Sequence, residues 1–420
     1  MNLKFTMKTI FVSVGFRNLM RGAIAFSYTK TTCISIISSS VNTRSRHFTA
    51  LSSSSMDTMP SLPTWYTDAD LGRSDLPIMS EETLKKSRFV FTQTDQSGKT
   101  NHLYMEKDEA GPASPLFLSY DEMTKTLGDD KADSLLDLSD EVSLLKLWIG
   151  ERGGIDYFAI HEKTNHDGEN VEINAENAIE VEDADMKPKL APLREFGDRI
   201  PASVDSAIYS TANGLVEFHK SHKFCSHCGK PTKVRKVGAS RICSDHKSIG
   251  GSCRSPSVYP RIDLASIMLV TSPCENYCLL GRKSMWPKGR YSTLAGFLEV
   301  GETIENCCIR ETFEESGIDI ERGSVEFVKS QPWPFPRSLM VGFRAKARHN
   351  DAENKSKLPI IDFDEKEMED VRWFSRDYVA ERLDGGSTAL LYDPTEEEME
   401  FHIPGKASLA RLLITEWALE

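Results

Sequence analysis

Short apolar runs come first along the chain. Phe89-Val90-Phe91 and His102-Leu103-Tyr104 flank the turn Gln96-Ser97-Gly98, the pattern of two strands joined by a tight connection. Residues 142–149 (VSLLKLWI) and 156–160 continue strand-like. The acidic stretch 165–185 predicts a solvated loop or weak helix. Over residues 204–222 the period lengthens, and Val204, Ala207, Ile208, Leu215 and Phe218 fit one face of an amphipathic helix. Residues 263–271 (DLASIMLVT) and 277–281 predict two more strands, 286–294 a loop, and 325–329 a further strand. From Thr303 the spacing of Ile304, Cys307, Cys308 and Phe313 is helical, and Gly317 stands where a helix C-terminus favours a left-handed residue. Residues 330–340 (SQPWPFPRSLM) break every period. Pro332, Pro334 and Pro336 exclude a regular central strand, so a shaped loop is expected.

At 420 residues, two or three domains are expected. The boundaries read as a targeting peptide at 1–56, a linker at 57–84, an N-terminal α+β domain at 85–222, a cysteine-rich ribbon at 223–257 and a last domain at 258–420. The net charge of −12 hides an asymmetry, because residues 1–56 hold seven Lys/Arg and no Asp or Glu. Without them the chain carries −12 − 7 = −19, which suits a general nucleic-acid binder poorly. The leader is rich in Ser and Thr, as organelle transit peptides are. A mitochondrial address is expected, with a plastid as the alternative. Arg17 and Arg21 interrupt the apolar core that a secretory signal needs. No apolar run reaches membrane-spanning length, so no membrane partner is expected.

Four of the nine cysteines, Cys225, Cys228, Cys243 and Cys253, crowd one segment. A C-x-x-C followed by Gly229 lets two thiolates converge on one ion, so a structural Zn2+ with four protein ligands is the expected reading. His246 stands where a second C-x-x-C would end. It competes with Cys253 for the fourth place, and Gly250-Gly251 favour Cys253 by allowing a turn back.

In residues 296–318 (GFLEVGETIENCCIRETFEESGI), Glu311, Glu314 and Glu315 fall on one helical face. Like charges so placed repel unless a cation compensates, and hard divalent ions take carboxylate and carbonyl oxygens. Gly296, Glu302, Arg310-Glu311, Glu314-Glu315, Gly317 and Ile318 together resemble the complete Nudix box, with Thr312 at a position usually aliphatic. The run SQPWPFPRS beyond it, the ribbon before it and Tyr259-Pro260-Arg261 between them resemble the NADH pyrophosphatase branch of Nudix hydrolases. This resemblance is strong over residues 190–420 and weaker over 85–190.

The resemblance implies an α+β chain, a Nudix α/β/α sandwich with a mixed sheet preceded by a zinc ribbon and an N-terminal α+β domain. It implies hydrolysis of the pyrophosphate of NADH and NAD+ to nicotinamide mononucleotide and AMP with Mg2+ or Mn2+, removal of NAD caps from RNA 5′ ends, and a homodimer. Metal ligands would be Glu311, Glu315, the carbonyl of Ala295, Glu314 and Glu367, with Glu365 and Glu369 competing for the last place. Glu314 or Glu367 would accept the proton from water, while Arg310 orients carboxylates. Substrate contacts would come from Tyr259, Gln331, Pro332, Trp333, Pro334, Phe335, Pro336, Arg337, Ser338 and Ala410. Two alternatives are ADP-ribose or another dinucleotide as substrate, and a non-catalytic interaction protein built on the ribbon.

Overall fold

The computed structural model describes residues 71–420 apart from 74–75, 78–79, 109–110, 137–143, 163–178, 180–182, 184, 201–203, 350–356 and 384–400. The segment expected to be a targeting peptide and most of the acidic stretch therefore lie outside the described residues. Helix α1 (Glu81–Lys86) takes up the end of the stretch expected to be linker. Strands β1 (Arg88–Thr94), β2 (Thr100–Glu106), β3 (Ala113–Pro115), β4 (Leu144–Arg152), β5 (Ile155–Glu162) and β6 (Lys187–Pro192) form one sheet, in the order β3-β2-β1-β5-β4 with β6 paired to β2. Alternation along β1 sends Val90 to one face and Phe89 and Phe91 to the other. Helix α2 (Tyr120–Leu127) covers the Phe89 side, together with α3 (Asp129–Leu136). The Val90 side packs on α4 (Leu193–Phe196) and α5 (Val204–Ser221), through Phe196, Ile208, Tyr209 and Val216.

The ribbon is the hairpin of β7 (Thr232–Arg235) and β8 (Ser240–Cys243). After it comes a second sheet: β9 (Asp263–Thr271), β10 (Tyr277–Arg282), β11 (Leu294–Phe297), β12 (Glu326–Trp333), β13 (Ser338–Lys346) and β14 (Asp370–Ser375). Its order is β12-β13-β9-β10-β14. The β9–β13 pair is parallel and the others antiparallel, so the sheet is mixed. The other edge of β9 is shared. Residues Ala265–Met268 pair with β11, and Val270–Thr271 pair with β10.

Alternation on β9 again defines two faces. Met268 and Val270 join Cys308 of α6 (Ile304–Ser316) in one core. Ile267 and Leu269 join Leu413, Ile414 and Trp417 of α8 (Leu409–Leu419), with α7 (Arg376–Ala380) nearby. Helix, sheet and helix form the α/β/α sandwich. Residues 330–340 depart from expectation, since β12 runs through Pro332 to Trp333 and only the turn before Ser338 is left outside strand structure. The reason is position. β12 is the edge strand, where a missing N–H can face outward.

Candidate active site and metal centres

The box helix begins at Thr303, whose side chain accepts from the Asn306 N–H, and ends at Gly317 with φ 68°. Gly296 on β11 lies under it. A Cβ there would sit 1.8 Å from the Glu311 carboxyl carbon, so only glycine admits the Glu311 side chain.

Arg310 ties the acidic face together. Its Nε and Nη2 donate to the two oxygens of Glu302, each at 2.9 Å. Its Nη1 donates to Glu311 and Glu314, each at 2.8 Å, and Nη2 also reaches the Phe297 carbonyl at 2.9 Å. The fork matches several carboxylates at once, as a guanidinium can. It holds the Glu302 carboxyl below the usual range. Glu315 is 2 % exposed; it accepts from the Ala295 N–H at 3.1 Å and pairs with Lys283 Nζ at 3.1 Å. Burial pushes both Glu315 and Glu311 upward, against the pull of Lys283 and Arg310 respectively. Repulsion from Glu314, and then from Glu367, adds to the rise at Glu311. Glu369, its competitor, is bound to the Arg282 guanidinium instead.

Among the described residues, only the four cysteines bring three or more candidate ligand atoms within 4.8 Å of one another. The box carboxylates are spread around Arg310 and Lys283. Their oxygens and the neighbouring Ala295 carbonyl are the donors that hard divalent cations prefer.

In the ribbon, Sγ separations are 3.5 Å for Cys228–Cys243 and 3.9 Å for Cys225–Cys253. Neither is a disulfide. Tetrahedral zinc with Zn–S near 2.3 Å spaces its sulfurs about 3.8 Å apart, so the cluster fits that ion. The loop before Cys253 doubles back, with the Cys253 N–H donating to Asp245 O at 2.7 Å. A Cβ on Gly251 would meet that same oxygen at 2.1 Å. The half-buried His246 lies outside the cluster, and its Nδ1 accepts from the Ser248 N–H at 3.0 Å.

Beside Ala295 opens a cavity of about 610 Å3, lined by Trp286, Arg290, Trp333 and Met340 among others. Of the expected substrate residues, Gln331, Trp333 and Ala410 reach it. Gln331 spends its amide on the backbone, donating to Ala407 O at 2.9 Å and accepting from the Leu409 N–H at 2.8 Å. Pro332, Pro334, Pro336, Arg337 and Ser338 line a second cavity of about 320 Å3, which Trp333 also reaches. Phe335 packs with Trp333 against the N-terminal core. Tyr259 stands apart, half exposed, with Lys236 over its ring at 5.7 Å.

Sequence reasoning missed Lys283, Arg194 and Arg290. The first and last belong to the basic run GRKSMWPKGR, whose charges were a signal. Arg194 lies in the N-terminal half and reaches Trp333 and Phe335 only through the fold, at 5.9 and 5.4 Å from their ring centres.

The mixed sheet between two helices, with an acidic helix after a glycine strand, defines a Nudix domain, and the NUDIX domain family model matches residues 262–391. NAD-capped RNA hydrolase NudC of Mycobacterium tuberculosis is 34% identical over 240 residues, covering 57% of this chain and 68% of that protein. Human NAD-capped RNA hydrolase NUDT12 is 36% identical over 215 residues, or 51% of this chain. The chain spans only 42% of the length of that relative. A Nudix hydrolase structure from Nitrosomonas europaea aligns over 43% of this chain and 97% of its own, at 21% identity and a TM-score of 0.29. The chain belongs to the Nudix hydrolases, in their NADH pyrophosphatase branch.

Proposed function

We propose that the chain hydrolyses the diphosphate bond of NADH and NAD+, releasing nicotinamide mononucleotide and AMP, and removes NAD caps from RNA 5′ ends. The observation that carries this reading is the junction at Ala295, where the buried Glu315 meets an apolar cavity walled by Trp333 and Trp286. Carboxylates for the diphosphate adjoin flat faces for a ring. Glu311, Glu314, Glu315, Glu367 and the Ala295 carbonyl would hold Mg2+ or Mn2+. Such ions, when bound, neutralise charge on the diphosphate and acidify water. Arg310 keeps Glu302, Glu311 and Glu314 in register. Glu314 or Glu367 takes the proton of the attacking water. Cys225, Cys228, Cys243 and Cys253 would hold a structural Zn2+, with no position open for water.

The domains follow the boundaries given above, except that α1 and its buried Leu84 belong to the N-terminal domain and not to the linker, the leader addresses a mitochondrion, and two chains associate. Exposed Phe224, Tyr259 and Ile262 supply apolar surface for that contact. No helix among the described residues is long and apolar enough to cross a membrane.

Product analysis with Mg2+ on NADH, NAD+, ADP-ribose and NAD-capped RNA tests the activity. Cleavage of ADP-ribose alone would overturn the proposed substrate. Sedimentation tests the dimer, and a fluorescent fusion of residues 1–56 the compartment.

A further inference from the structure

Arg282 lies buried at the end of β10, and its hydrogen bonds lead to two separate loops. Its Nε donates to Glu369 Oε2 at 2.9 Å, and its Nη2 lies 2.5 Å from the same oxygen. Its Nη1 donates to Pro287 O at 3.2 Å and its Nη2 to Trp286 O at 3.5 Å. Glu369 closes the segment before β14, while Trp286 and Pro287 belong to the loop after β10. A guanidinium is costly to bury unless its donors are met, and here acceptors from both loops meet them.

Both loops bear on the site. Glu367, two residues before Glu369, acts on the charge of Glu311. Trp286 and Pro287 wall the cavity beside Ala295, and Lys283 of the same loop pairs with Glu315. The backbone adds a second tie, since the Glu369 N–H donates to Arg282 O at 2.9 Å where β10 and β14 run antiparallel. Between the two glutamates, Met368 is buried over Gly281, where a Cβ would sit 2.3 Å from its Cε. Glu367 thus hangs from a segment fixed at Met368 and Glu369, and the guanidinium holds the Glu369 end. Lysine would meet the carboxylate as a point charge, but only the planar fork also reaches two carbonyls.

We propose that Arg282 is a positioning residue that fixes Glu367 relative to the Trp286–Pro287 wall, with Glu369 as its partner and not as a metal ligand. This rests on the reading above in which Glu367 holds metal and the cavity takes the dinucleotide. Metal requirement and substrate affinity are then linked through one side chain.

Hydrogen exchange on the full chain, without added metal or substrate, tests the link. Glu369 is exposed, so Glu369→Gln carries the test even where an Arg282 variant fails to fold. In Glu369→Gln, exchange should quicken about tenfold in 364–369 and also in 283–290, the scale of losing a hydrogen bond between charged groups. Arg282→Lys should quicken 283–290 and leave 364–369 closer to the wild type. Quickening confined to 364–369 in Glu369→Gln, or none, overturns the link. Steady-state rates on NADH then separate positioning from stability. Glu369→Gln should raise several-fold both KM and the Mg2+ concentration for half-maximal rate, and Arg282→Lys mainly KM. A fall in kcat with both constants unchanged shows a merely structural role and overturns the proposal. If the wild type cleaves neither NADH nor NAD+ with Mg2+, the hydrolase reading fails, and hydrogen exchange still decides the link.

Discussion

Arg310 makes hydrogen bonds to three carboxylates and a carbonyl. Removing it would leave Glu302 and Glu311 facing each other's charge, so Arg310→Ala should lower kcat, the guanidinium being bonded within the box itself. Glu315 makes the sharper test. Glu315→Gln keeps its shape and an oxygen for the Ala295 N–H but removes the charge. We expect kcat to fall at least about a hundredfold, the scale of losing one preorganised electrostatic group, with little change in melting temperature. Near-normal turnover would remove Glu315 from the metal set. His102 offers a prediction about stability. It is fully buried, bonded to Asn213 Oδ1 at 2.9 Å, and burial lowers its pKa from 6.5 to about 4, with Glu217 and Lys220 exerting opposite and smaller pulls. Between those values the unfolded chain binds a proton that the folded chain refuses. Stability is therefore intact above pH 6.5 and declines as pH falls toward 4, by about 3 kcal/mol in all. Urea melts at pH 7 and pH 5 should show part of this loss, and His102→Gln should reduce it.

At the scale of elements, the ribbon loop and the β12–β13 hairpin show what was legible in the sequence. Gly250 and Gly251 announced the turn that brings Cys253 back to the other cysteines, because Gly250 takes φ 87° and a backbone passing as close to Asp245 as Gly251 does admits no side chain. Metal analysis of variants should agree: Cys253→Ser loses zinc and His246→Ala retains it, and the reverse would reassign the fourth ligand. Strands β9 and β10 and the box helix were readable for the same local reason, since their periods are regular and the helix caps are in place, whereas β11, β13 and β14 were not read as strands. The hairpin was misread because proline is judged by its neighbours across the sheet, and sequence does not say which strand lies at the edge. The substrate residues were only partly legible. Gln331 looks like a ligand donor in the string, yet it fastens β12 to the start of α8. Lys283 and Arg290 sit in a loop without periodicity, so nothing local indicated which way they face.

Across the whole molecule, the N-terminal half does more than precede the box. Asn213 of α5 donates to Pro334 O at 2.7 Å while its own oxygen meets His102, and Trp333 and Phe335 complete the N-terminal core. Asn213→Ala should therefore raise KM for the dinucleotide several-fold and cost about 1–3 kcal/mol of stability, as a buried polar pair broken on one side does. An unchanged KM in steady-state assays would show that the hairpin holds its shape unaided. The same grip bears on modularity. Residues 262–391 contain the acidic helix and its sheet, but the cavity also needs Arg194 before that segment and Ser408, Leu409 and Ala410 after it. The box is thus not a portable unit of specificity. Grafting it to another chain would carry the carboxylates but leave behind much of the cavity wall, so on the proposed reading new preferences could arise from changes far from the glutamates in sequence.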